Sequence, residues 1–204
     1  MELKISENQY TKLILEILSS ENFKNKLSLI NNSYSNLKQE GLIRNSILEE
    51  LNSYFLSKSK NIRAFAEHPR ENNTRVDLSI VNLENIKNPF KVEFKFQFSK
   101  DNKNLKNYWK VIQKDYEIRN SNLFILIVAH WNKQEKKEFD KKWGISSNLS
   151  RYLSSNDDWK TNIIESFNLF KDTEFVEFEK IEIEKPYKTD YHIYILSRKQ
   201  KLIL

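Results

Sequence analysis

The stretch RVDLSIVNLENIKNPFKVEFKFQ, Arg75 to Gln97, decides how this chain folds. In its first half Val76, Leu78 and Ile80 alternate with Arg75, Asp77 and Ser79, and in its second half Val92, Phe94 and Phe96 alternate with Glu93, Lys95 and Gln97. Alternation with a period of two marks a strand that has one apolar and one polar face. The intervening NLENIKNPF carries three asparagines and Pro89 and predicts a reversal, so the two strands pair antiparallel. A turn centred near Asn85 and Ile86 sets Asp77 across from Glu93 and Lys95. Side chains two apart on a strand share a face, so Asp77, Glu93, Lys95 and Gln97 gather in one patch. Adjacent carboxylates repel and resist joint ionisation, a conflict that a bound divalent metal resolves.

Outward from that hairpin, helical spacing continues in both directions. Tyr10, Leu13, Ile14, Ile17 and Leu18 predict a helix from Ser6 to Ser19, with Ser6 and Gln9 as a capping box. A second helix is expected from Asn22 to Ile30 and a third from Leu37 to Lys58, the latter with Ile43, Ile47, Leu48, Leu51, Tyr54 and Phe55 on one side. RAFAEH, Arg63 to His68, predicts a strand that ends at Pro69. After the hairpin, Asn102 to Arg119 is amphipathic, with Leu105, Tyr108, Trp109, Ile112 and Tyr116 opposite a stripe of lysines. LFILIVA, Leu123 to Ala129, is apolar throughout, as a strand covered on both faces must be. A charged segment after Trp131, a Ser- and Asn-rich loop, a helix from Asp158 to Phe170 and strands at Glu174 to Glu184 and Tyr191 to Ser197 complete the chain. The order describes a mixed α/β layer within a single domain.

Composition narrows the function. The 34 Lys and Arg against 28 Asp and Glu leave a net charge of +6, which favours polyanionic partners. Gly41 and Gly144 are the only glycines, too few for a P-loop or a dinucleotide fingerprint. His68, His130 and His192 show no zinc-hydrolase spacing, and the absence of cysteine excludes thiolate sites. The start, MELKISENQY, does not read as a signal peptide, and the longest apolar run is too short to span a bilayer, so a soluble cytoplasmic protein is expected.

Asp77, a turn, Glu93-Phe94-Lys95, a helix and an apolar strand together resemble the PD-(D/E)XK phosphodiesterase superfamily, the restriction-endonuclease-like nucleases. Val76 stands where many members have a proline. The resemblance implies a core of a helix, a three-stranded antiparallel meander, a helix and a buried strand over residues 37–131. Residues 1–36 would be a helical extension, and 132–204 C-terminal additions. It implies that Asp77 and Glu93 bind Mg²⁺, for which Mn²⁺ can substitute, and that Lys95 orients or activates the attacking water. A further metal-binding acid from the preceding helix is implied, for which Glu40 and Glu50 both qualify. Gln97 shares the face of Lys95 and can position water or a phosphate oxygen. Arg75, Lys100, Lys103 and Lys106 are candidate phosphate contacts, the guanidinium of Arg75 being suited to two parallel bonds. The implied activity is metal-dependent endonucleolytic hydrolysis of double-stranded DNA, as in a type II restriction endonuclease acting as a homodimer. The alternative is an inactive protein of the same scaffold that binds nucleic acid or protein.

Overall fold

The computed structural model describes residues 7–58, 60–71, 74–102, 109–110, 112–146 and 149–198. Three N-terminal helices, α1 (Glu7–Ser19), α2 (Glu21–Ser33) and α3 (Glu40–Lys58), precede strands β1 (Ile62–Ala66), β2 (Arg70–Glu71), β3 (Thr74–Arg75), β4 (Leu78–Asn82) and β5 (Phe90–Phe98). A helical segment that closes with a π-helix at Gln113–Ile118 leads into β6 (Leu123–Trp131). Helices α4 (Lys133–Lys142) and α5 (Asp158–Asn168) and strands β7 (Thr173–Glu177), β8 (Ile181–Ile183) and β9 (Thr189–Arg198) follow.

The main sheet runs β1-β4-β5-β6-β9-β7, with β8 also on β9, and only the β5/β6 pair is parallel among the described strands. The fold is mixed α/β, a mostly antiparallel open sheet between helical layers. On one face Ile14, Phe23, Ile47 and Phe55 of the three N-terminal helices meet Ile80, Phe94, Phe96, Ile125 and Ile193. On the other, Ile112 and Tyr116 with Trp159, Ile163 and Phe167 of α5 cover Phe124, Leu126, Val128, Tyr194 and Leu196. Both faces of β6 are therefore apolar, which is why LFILIVA shows no alternation. No described helix is long and apolar enough to cross a membrane.

Local chemistry sets the ends of the elements. The Ser20 hydroxyl accepts from the Phe23 amide at 3.1 Å and starts α2, and Asn132 accepts from Gln134 and Glu135 and starts α4. The Asn132 cap makes the charged segment after Trp131 a true helix. The predicted cap at Ser6 lies outside the described residues. Two expected strands break up. The regular part of β4 begins at Leu78, because Arg75 belongs instead to the small β2/β3 hairpin opposite Arg70. The expected strand from Glu174 to Glu184 divides into β7 and β8, which pair with successive parts of β9.

Away from the hairpin, His192 on β9 makes an edge-on contact with the buried Trp159, their rings 5.0 Å apart. Burial, and then the nearby Lys160, lower its pKa from 6.5 to about 4, against a weaker opposing pull from Asp190. The folded protein thus keeps this imidazole neutral in a range where the unfolded chain takes up a proton. Its contribution is complete above pH 6.5 and is lost as pH falls from 6.5 towards 4. The full displacement corresponds to about 3 kcal/mol, and partial solvent access lowers the expectation to about 1–2 kcal/mol. Urea unfolding at pH 7 and pH 4.5 is expected to show that loss in the parent chain and a smaller one in His192→Gln. Equal losses in the two proteins would exclude His192 as its source.

Candidate functional site

The hairpin register brings the predicted residues together. Leu78 pairs with Val92 and Ile80 with Phe90, which centres the reversal on Asn85 and continues the register to Asp77 opposite Glu93. There the two strands part. Asp77 stays with β1, its carbonyl accepting from the Glu67 amide at 2.9 Å, while β5 runs on to Phe98 beside β6. The amides of Phe94 and Phe96 on the diverging edge are taken by carboxylates instead of a strand. Phe94 N–H donates to Asp77 Oδ2 at 2.8 Å, and Phe96 N–H donates to Glu40 Oε2 at 2.6 Å. Buried amides need such acceptors, and ionised acceptors make the stronger bonds.

Three carboxylates thus lie along the fork, Glu40 from the first turn of α3 and Glu93 from β5 on either side of Asp77 from the approach to β4, without closing into one cluster. Glu93 is fully buried. Its Oε2 accepts from Arg119 Nη1 at 2.7 Å, while its Oε1 is buried without a hydrogen-bond partner. The Asp77 carboxylate stands beside it, close enough to share the proton of a protonated Glu93. Burial, and then the Asp77 charge, push the Glu93 carboxyl up to about 9, with Arg119 pulling the other way. Burial also raises Glu40, opposed by the Phe96 N–H and reinforced by Asp77. Lys95 lies two residues beyond Glu93 on the same strand face, half-buried, and its charge acts on Glu40. Gln97 follows on that face, its Oε1 buried and without a partner.

This donor set fits a hard divalent cation. An orphaned, buried carboxylate oxygen beside a second carboxylate is costly alone and stabilised by a shared cation. Among the described residues no three His, Asp or Glu side chains are grouped so as to hold a metal by themselves. Asp77 and Glu93 would supply the protein ligands, as suits Mg²⁺, which usually takes only one or two carboxylates and keeps several waters. Glu40 is next to Asp77, but the charges that act on Glu93 are those of Asp77 and Arg119 and not that of Glu40, which stands farther from the orphaned oxygen.

Other predicted residues lie elsewhere. Glu50, ten residues and about 15 Å along α3 from Glu40, is held by Lys26 at 2.7 Å and by Asn22 at 2.6 Å. It is not part of the constellation. Arg75 is near Asp77 but bonds Glu67 at 2.6 Å, so a phosphate would have to draw it away from that carboxylate. Lys100 is exposed in the turn that follows β5. Lys103 and Lys106 lie outside the described residues.

Arg119 is not among the residues the sequence marks for the site, and its spacing of four from Asp115 suggests only an ion pair on the helix surface. That contact exists at 3.5 Å, but the shorter bond turns inward to Glu93. No local pattern signals it, because the two partners are 26 positions apart. His68 places its Nδ1 2.8 Å from the hydroxyl of the buried Ser79 on β4. Comparison of the chain with protein-family models, with curated proteins and with solved structures finds no match in any of the three.

Proposed function

We propose that the protein is a metal-dependent endonuclease that hydrolyses phosphodiester bonds in double-stranded DNA, built on a restriction-endonuclease-like core of α3, the β1-β4-β5 meander, the intervening helical segment and β6. The observation that carries this reading is the fork between β4 and β5, where Asp77 stands beside Glu93, one of whose buried oxygens has no partner, and Lys95 follows on the same strand face. Phosphodiester hydrolysis needs a nucleophile at neutral pH and compensation for charge growing on the phosphate oxygens. Asp77 and Glu93 would hold Mg²⁺ or Mn²⁺, which acidifies a bound water and polarises the phosphoryl group when bound. Lys95 places its ammonium group where that negative charge develops. Gln97 offers an amide to orient water or a phosphate oxygen, and Arg75, released from Glu67, grips a neighbouring phosphate. The net charge of +6 draws a polyanion to the surface. Cutting both strands of a duplex suits a homodimer whose two-fold axis matches that of its target.

A second reading rests on Arg119, whose guanidinium already bonds Glu93. If it takes the cation's place permanently, the scaffold binds nucleic acid without cutting it. Incubation of duplex DNA with Mg²⁺, with Mn²⁺ and with EDTA separates the two. Cleavage with either metal that stops in EDTA is the expected result. Salt-sensitive binding with no cleavage under any of the three conditions would replace the nuclease by the binding module.

A further inference from the structure

The Glu93 carboxylate is bound on one side only. Arg119 Nη1 holds Oε2 at 2.7 Å, and Oε1 has no partner although it is buried. The Arg119 guanidinium is itself fixed, since Asp115 Oδ1 lies 3.5 Å from the same nitrogen and both belong to the helical segment that covers this face of the sheet. Its side chain is about a quarter exposed, so it reaches in from the rim of the site.

This asymmetry has chemical content. A carboxylate that bridges two metal ions, or chelates one through both oxygens, needs both of them free. Glu93 has one free, Oε1, on a side chain that has the Asp77 carboxylate as its neighbour. From this geometry we infer that Arg119 is a positioning residue, which holds Glu93 turned so that a single oxygen is offered to a single divalent ion shared with Asp77. The inference rests on the proposed metal site and goes beyond it in the number of ions bound and in the residue that sets that number.

The alternative role for Arg119 is a competing cation that a metal must displace. The two roles predict opposite effects. A positioning partner that is removed leaves the Glu93 carboxylate free to turn away from the site, and metal binds less well. A competitor that is removed leaves the site freer, and metal binds more tightly. Loss of an outer partner that orients a metal ligand typically costs about 10–100-fold in metal affinity.

The experiment is a Mn²⁺ titration of the full chain followed by electron paramagnetic resonance of the free ion, with thermal unfolding in EDTA as the measure of folding. The parent protein is expected to take up one Mn²⁺ per chain. Arg119→Gln should bind about 10–100-fold more weakly, and Arg119→Lys, which keeps a cation there, should recover most of the loss. Both variants should unfold as one cooperative transition, and if Arg119→Gln does not, Arg119→Ala paired with Glu93→Gln provides a site with neither charge buried. In that double variant, affinity no better than in Glu93→Gln alone supports the inference, and affinity restored above it overturns it. Two Mn²⁺ per parent chain, or unchanged or tighter binding in Arg119→Gln, overturns the inference and leaves the metal site standing. Failure of the parent chain to bind Mn²⁺ at all removes both.

Discussion

Asp77→Asn is expected to lower Mg²⁺-dependent DNA cleavage by about a thousandfold while leaving the fold in place. The side chain has two tasks: its Oδ2 accepts the Phe94 amide at 2.8 Å, and its charge stands beside Glu93. An asparagine keeps a carbonyl oxygen for the first task and lacks the charge for the second. Lys95→Ala removes a cation that the fold does not need for packing, and is expected to cost about 10²–10³-fold, the range for deleting one group that stabilises transition-state charge. Glu40→Gln should cost less than either, since a glutamine still accepts from Phe96 and Glu40 is not expected to be a metal ligand. The measurement is the single-turnover rate on duplex DNA, with urea unfolding as a control. Full activity in Asp77→Asn would remove the carboxylate fork from the chemistry.

The largest effect on stability is expected at Trp159. Its side chain is fully buried in the layer formed by Ile163, Phe167, Phe124 and Tyr194. One face stacks on His130 at 6.1 Å, and the ring makes its edge contact with His192. Trp159→Ala removes the largest buried side chain of that layer and leaves a cavity that helix α5 cannot close without pulling away from β6 and β9. The expected cost is about 3–5 kcal/mol, which for a chain of this size lowers Tm by roughly 10 °C. The lower end is favoured, because the indole nitrogen is buried without a hydrogen-bond partner and its loss removes a penalty along with the contacts. Thermal and urea unfolding measure this, and a loss under about 1 kcal/mol would mean that α5 is not an integral part of the core.

How much could be read from sequence depended on how far apart the interacting residues lie. The pairing of Asp77 with Glu93 was legible because strand alternation has a period of two, so the turn position alone decides which side chains meet. The buried β6 was legible as an apolar run that nothing but a doubly covered strand explains. Glu40 could not be separated from Glu50, since both lie on one helix and only its placement against β5 chooses between them. Arg119 was invisible because the bend that turns it inward belongs to a π-helix, Gln113–Ile118, whose wider winding shifts side chains off the expected spacing. The hairpin at Arg75 was hidden for a related reason. The polar RENNT loop after Pro69 allowed several reversals, and the one adopted pairs Arg70 with Arg75 and takes the latter out of the long strand.

The fork also bears on how the protein avoids its own kind. A strand that leaves its neighbour midway exposes a row of amides to which any passing chain could add, the usual beginning of edge-to-edge aggregation. Here Asp77 and Glu40 seal the amides of Phe94 and Phe96 with negative charge. These two carboxylates therefore act as guards of a raw sheet margin, and replacing both by alanine would leave the amides of Phe94 and Phe96 open to another strand.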